Sequence, residues 1–317
     1  MFRLAAALLC CLAVAAPARA DVFPSRPVTL VVPFSAGAAS DLFARLIAKE
    51  LKDTLGQPIV IDNRPGANGG VAAESVKRAK PDGYTILMGT TGTASNVWLF
   101  RQQRVDPTKD FEPVTRLGSI NWVIAVHSSS PHRTLASLVE AARAQPGQLS
   151  IGHGSAGGLI ASHMLLKAFG IDMISVPYRS SPQATTDLIG GRLAAMASDF
   201  ASGAGYFANG DMRPLAISGK QRSTLYPEVP SMHEAGVADF DLVGWFAAFV
   251  PAGTPKPIID LLNARIVDAM AAPALRPQVD KLGIEIITGT PQALSEHLTR
   301  EIAKWEVYVR DSGLQPE

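Results

Sequence analysis

Cysteine is nearly absent. The two that occur in 317 residues, Cys10 and Cys11, both lie in the apolar run Leu4–Ala15. That run follows Arg3 and precedes the small-residue stretch Ala18, Arg19, Ala20, the pattern of a cleavable export leader over residues 1–20. Bulky Leu8 and Leu9 stand before the cysteines, so the pattern is that of an ordinary leader and not of a lipid-anchored one. A chain starting at Asp21 then has no disulfide, no thiolate nucleophile and no cysteine-ligated metal. Surplus charge is also lacking. Removing Arg3 and Arg19 takes 29 basic residues to 27 against 28 acidic ones, a net charge of −1, which gives no electrostatic footprint for nucleic acid. Beyond the leader no apolar run approaches the roughly 20 residues that a membrane helix needs. The expectation is a soluble extracytoplasmic protein with no direct membrane insertion.

Cofactor signatures are missing as well. The stretch Gly66–Gly70 sits between a strand and a helix, but it lacks both the dinucleotide glycine spacing and the lysine of a phosphate loop. No cluster of His, Asp and Glu has metal-ligand spacing. Neither a cofactor nor a metal is expected.

What the sequence does contain is a repeated alternation of strand and helix. Val28–Val32 is an apolar strand, Pro33 to Asp41 a glycine turn, and Phe43, Leu46, Ile47 and Leu51 recur at helical spacing. Pro58–Ile61, a helix over Val71–Lys80 and a strand at Tyr84–Met88 complete a βαβαβ unit, which implies a mostly parallel sheet. A comparable unit follows: strand Trp122–Val126, a helix marked by Leu135, Leu138, Val139 and Ala142, strand Leu149–Gly152, helix Leu159–Phe169, strand Ile174–Val176, helix Gln183–Ile189 and strand Leu193–Ser198. Helices are expected again near Ile258–Met270 and Pro291–Val309. Two α/β units in succession point to two lobes whose sheets open on one cleft, the place where open α/β sheets bind ligands. A helix that begins right after a strand leaves N–H groups free in its first turn, a site for a carboxylate or phosphate.

Certain short segments, in order and spacing, carry a family resemblance. They are Ser25–Pro27, Val32–Phe34 with Asp41, Asn63–Gly66, Pro81–Tyr84, Val176–Tyr178, Asp187–Gly191, and Trp245 ahead of Pro251–Pro255. The chain resembles the periplasmic solute-binding proteins of tripartite tricarboxylate transporters, first described as Bordetella uptake proteins. The resemblance implies an α/β, type II periplasmic-binding-protein fold with two lobes, a hinge and an interlobe cleft. Lobe 1 is expected over residues 21–119 plus 219–317 and lobe 2 over 120–218, with crossings near Gly118–Trp122 and Leu215–Gly219. It further implies a monomer in the periplasm that captures a small organic carboxylate, such as a di- or tricarboxylate or an aromatic acid, and presents it to membrane permease subunits without catalysing a reaction.

Within this frame the candidate ligand-binding residues fall in five segments. Phe34, Ser35, Ala36, Gly37 and Ala38 offer backbone N–H groups beside a helix dipole, and Asp41 reads as a helix-start residue. Where relatives commonly carry two adjacent glycines, this chain has Gly37 and Ala38, and an alanine restricts positive φ. Thr90 and Thr91 offer hydroxyls after a strand end. Ser155 and Ala156 stand at a second strand-to-helix junction. Arg179 and Ser180 replace the Lys-Gly that relatives often have after the tyrosine, and an arginine can pair bidentately with a second carboxylate. Asp199 accepts either a ligand amine or hydroxyl, or the N–H groups of its own loop. Trp122 and Trp245 read as core.

Two other functions fit parts of the pattern. Gly154–Gly157 after His153 superficially resembles the nucleophile elbow of α/β-hydrolases, with Ser155 as nucleophile, although no spacing identifies a triad. A periplasmic sensor adaptor handing a loaded state to a signalling protein would use the same site as a transport receptor.

Overall fold

The computed structural model describes residues 23–101, 104–219, 221–223, 227–237, 240 and 242–312. The leader expected over residues 1–20 lies outside them.

Strand β1 (Val28–Val32) is β-branched and apolar and buried almost throughout, as the middle of a parallel sheet demands. β2 (Ile59–Asn63) and β3 (Thr85–Thr90) lie parallel on its two sides. The connecting helices are α1 (Ala39–Leu55), whose Phe43, Ile47 and Leu51 bury one face, and α2 (Gly70–Lys77). After β3 the Thr- and Gly-rich stretch is helix α3 (Thr91–Leu99). The Thr90 hydroxyl accepts from the Gly92 N–H, and the Thr93 hydroxyl accepts from the Thr90 N–H at 3.1 Å. Reciprocal capping of this kind starts a helix even in a sequence of modest helix propensity.

Strand β4 (Phe111–His127) organises the rest. Its first part, through Asn121, pairs antiparallel with β9 (Val243–Pro251), and Gly118–Ile120 pairs with β10 (Ile284–Ile286). From Trp122 onward it pairs instead with β7 (Ala195–Asp199) and β8 (Met212–Ile217). One strand therefore belongs to two sheets. The first runs β2-β1-β3-β9-β4-β10; the second runs β8-β4-β7-β5-β6, with β5 (Ser150–His153) parallel to both β7 and β6 (Ile174–Pro177). The βαβ units are parallel as the alternation implies, but β4, which joins the two sheets, and its neighbour β9 run antiparallel to the strands beside them.

Helices α4 (Leu135–Ala144), α5 (Ala156–Phe169), α6 (Ser181–Ile189) and α7 (Phe200–Asn209) cover the second sheet, while α8 (Lys256–Met270), the short α9 (Arg276–Asp280) and α10 (Pro291–Ser312) return to the first. Apolar residues sort by sheet face more than by lobe. Val28, Phe43, Ile120, Val123, Met196 and Phe246 share one buried layer; Val31, Leu87, Trp122, Ile124, Ile151 and Trp245 share the other. Alternation along β4 sends Val123 and Ala125 to one layer and Trp122, Ile124 and Val126 to the opposite one, so the two lobes share continuous cores through this strand.

Candidate functional site

The cleft lies where β4 passes between the sheets. It holds a cavity of about 40 Å³ and is lined from the first lobe by Phe34, Ala38–Ser40, Asn68, Thr90–Gly92, Trp245 and Phe246, and from the second by Gly154–Gly157, Ser181 and Asp199. Ile120 and Trp122 of β4 form its base. No lysine or arginine is among these residues, so attraction for an anion has to come from dipoles, N–H groups and hydroxyls.

At the start of α1, Asp41 is 2% exposed and fixes the turn. One carboxylate oxygen accepts from the Gly37 N–H at 2.9 Å and from Arg45 Nε at 3.0 Å, and the other from Asn63 Nδ2 at 3.0 Å. Burial works against its charge, but the hydrogen bonds from Arg45, Gly37 and Asn63 outweigh it and hold the carboxyl below the usual carboxylate range. Gly37 takes φ +84°, a conformation that suits glycine. Ala38, by contrast, has φ −73° and ψ 159°, ordinary extended backbone. The alanine in place of a second glycine therefore carries no strain; its buried methyl simply takes up room against the cleft.

Several helix-start amides are already spent. Ala38 N–H donates to Ser35 O, and Ala39 N–H crosses the cleft to Ser202 Oγ at 3.0 Å. From the second lobe, Ala156 N–H crosses the other way to Asn68 Oδ1 at 2.9 Å, and Ser155 Oγ caps α5 by accepting from the Gly158 N–H. Among the described residues the N–H groups of Ser40, Thr91 and Gly157 have no acceptor. Two side-chain atoms of cleft-lining residues are likewise unpartnered although buried: Ser40 Oγ and Trp122 Nε1, on residues 2% and 4% exposed.

Asp199 lines the cleft as the cap of α7. It accepts from the Ser202 N–H at 2.8 Å and from Ser181 Oγ at 3.1 Å, and burial pushes its pKa upward. Of the sequence-expected residues, the cleft brings together Phe34, Ala38, Thr90, Thr91, Ser155, Ala156 and Asp199. Ser35, Ala36 and Gly37 are not among its lining residues; they form a turn that is partly or fully exposed, with Gly37 opposite Pro182 of the second lobe. Arg179 is exposed and lines a second, more open cavity that shares Asn68 and Gly154–Ala156 with the first. Ser180 is wholly buried beneath the Gly154 turn, its hydroxyl unpartnered.

Sequence reasoning passed over Ser40 and Asn68, took Ser181 only as part of a helix-opening segment, and read Trp122 as core. Ser40 sits in the very turn singled out for its amides; the signal was there, but its hydroxyl was not weighed. Asn68, at φ 48° and ψ 43°, gives no such sign in the sequence. The elbow-like segment is not assembled for hydrolysis: the His153 ring nitrogen bonds to Ser175 Oγ at 3.0 Å, while Ser155 caps its helix. Burial, with His163 nearby, lowers the His153 pKa to about 4, which leaves it neutral at pH 7.

Two α/β lobes joined through a shared strand, with a polar cleft built from helix starts, define the class of two-lobed periplasmic binding proteins. A model of the tripartite tricarboxylate transporter family receptor matches residues 43–314, and the chain belongs to that family. BugT of Bordetella pertussis is 33% identical over 307 residues, covering 95% of this chain and 93% of that protein. Among solved structures, the periplasmic binding protein BugD superposes with a TM-score of 0.90 at 27% identity, over 93% of this chain and all of that one. Rhodopseudomonas palustris Rpa4515, solved with adipate, gives 0.90 at 33% identity over 93% of this chain and 100% of its own. MatC of the same organism, with bound malate, gives 0.85 at 31% over 90% of this chain and 100% of its own. The family and these neighbours are solute-binding proteins and not enzymes. Among the described residues no helix is long and apolar enough to cross a membrane.

Proposed function

We infer that the chain is exported by its leader, captures a small organic carboxylate between its lobes as a monomer, and presents it to the membrane permease subunits of a tripartite tricarboxylate transporter. Lobe 1 would comprise residues 21–119 and 219–317 and lobe 2 residues 120–218, hinged where β4 changes sheets. The observation that carries the reading is the unspent set at the cleft: the Ser40 N–H and hydroxyl and the Gly157 N–H, facing a space with no basic side chain. Such a site holds one carboxylate by preorganised neutral donors. The adipate and malate in two structural neighbours support a dicarboxylate of similar length.

Thermal-shift titration of the mature protein with malate, adipate and benzoate tests this, because a ligand that binds only the folded state raises its melting temperature. At least one acid is expected to stabilise the protein while its methyl ester does not, and Ser40→Ala is expected to weaken that response. Equal stabilisation by acid and ester, or no response to any of the three, would overturn the reading.

A further inference from the structure

We propose that the indole N–H of Trp122 is a ligand-binding donor, so that one side chain at the junction of the lobes both holds the bound acid and registers its presence. The proposal rests on the carboxylate reading above.

Trp122 is the first residue of β4 to leave the first sheet: Asn121 still pairs with Val243, whereas Trp122 pairs with Asp199. Its main chain is tied to the segment that returns from β8 toward β9. The Trp122 N–H donates to Ser218 Oγ at 2.8 Å, the Ser218 N–H donates to the Trp122 carbonyl at 2.8 Å, and Ser218 Oγ donates in turn to the Leu242 carbonyl at 2.7 Å. Both connections between the lobes thus meet at this residue.

The ring fills a slot between the lobes. A Cβ built on Gly157, in the first turn of α5, would fall 1.8 Å from Trp122 Cζ2, and one built on Gly244, in β9, 2.4 Å from Cη2. Any side chain at either position would displace the indole, so both glycines are required for its placement. In that slot the ring is 4% exposed, lines the cleft, and leaves Nε1 without an acceptor.

An indole nitrogen only donates, and a buried donor without an acceptor is costly. Elsewhere the protein meets this need: Trp98 Nε1 donates to the Ile302 carbonyl and Trp245 Nε1 to Glu301. Trp305 is also unpartnered, but it does not line the cleft. Of the four tryptophans, Trp122 alone combines an unmade bond with a place in the lining of the cleft, and a carboxylate oxygen is the acceptor that would complete it. Because the ring also touches α5 of one lobe and β9 of the other, occupancy of its N–H favours the arrangement in which both flank it.

Indole-¹⁵N-labelled protein tests this directly. The chain has four tryptophans; the Trp122 cross-peak is identified as the one missing from Trp122→Phe or, should that variant not fold, by elimination with Phe at the other three positions. On titration with whichever of malate, adipate and benzoate stabilises the protein most, the Trp122 peak is expected to move downfield more than the other three. Trp122→Phe is expected to bind that acid about tenfold more weakly, as the loss of a hydrogen bond to a charged group implies, and to lose less affinity for the corresponding primary amide. A merely structural role would weaken both equally. Binding with an unmoved Trp122 peak, or undiminished affinity in Trp122→Phe, overturns the proposal and leaves the carboxylate reading intact; if none of the three acids binds, both fall.

Discussion

At the start of α1 the turn is fixed by a buried charge, whereas at the start of α5 it is fixed by neutral hydroxyls and by an amide from the other lobe. Asp41 gathers Gly37, Arg45 and Asn63, all in its own lobe, so the first turn exists whether or not the lobes meet. Ser155 supplies only a cap to α5, and the Ala156 N–H is satisfied by Asn68 from across the cleft. Each helix start has one amide completed across the cleft, Ala39 by Ser202 and Ala156 by Asn68, but only the first has its turn prefabricated by a buried charge of its own lobe. A hinged receptor gains from this asymmetry, since one rigid half-site holds the ligand while the other responds to it.

The largest expected effect comes from removing the charge that prefabricates the first turn. Asp41→Ala strands the Gly37 N–H, Asn63 and Arg45, and should lower unfolding free energy by about 3 kcal/mol, in the range for breaking hydrogen bonds to a buried charged group. Chemical denaturation at pH 7 measures this. The pH dependence follows from the direction of the shift. A carboxyl held below its usual value of 3.8 contributes stability above that value and loses it as pH falls through the lower, folded value. Wild type and Asp41→Ala should therefore differ at neutral pH and converge in stability well below pH 3.8. A difference that persists unchanged into acid would mean that the turn is held by packing and not by the charge.

Breaking the other half of the comparison should act on geometry more than on stability. Asn68→Gly keeps the left-handed backbone at that position, relieves its strain, and removes the bonds to Ala156, Ser95 and Asn96. The net loss in stability should be only about 1–2 kcal/mol, because neutral hydrogen bonds contribute about 1 kcal/mol each and the glycine offsets part of it. Small-angle scattering of the ligand-free protein is expected to show a larger radius of gyration for the variant, which disappears on saturation with ligand. Equal radii without ligand would show that the bond across the cleft does not hold the lobes together.

The alternation of strands and helices was legible because burial on both faces of a sheet leaves continuous apolar runs such as Val28–Val32, and because amphipathic spacing marks α1. The ordered Gly- and Pro-rich segments then carried the family and with it the two-lobed fold. What stayed hidden depends on contacts far apart in sequence. The helix α3 rests on the reciprocal Thr90 and Thr93 cap, which reads equally well as a self-satisfied turn. The place of the Trp122 ring in the cleft lining is set by Gly157 and Gly244, neither near it in the chain, so a tryptophan amid an apolar strand reads as core. Asn68 Oδ1 and Ser202 Oγ accept from across the cleft, and no local pattern announces a bond that closure makes.

The smallest effect on stability, and the finest probe of the prefabricated turn, belongs to Ala38. Its extended backbone is open to any residue, so Ala38→Gly relieves nothing. The variant should lose no more than about 1 kcal/mol, from one buried methyl and added freedom in the unfolded chain. Binding should change in kind more than in strength: the methyl lies against the cleft, and removing it lengthens the space available from the α1 side. Calorimetric titration with a series of straight-chain dicarboxylates is then expected to move the preferred length upward by about one methylene. An unchanged order of preference would place the ligand's end away from α1 and shift the task of measuring its length to the second lobe.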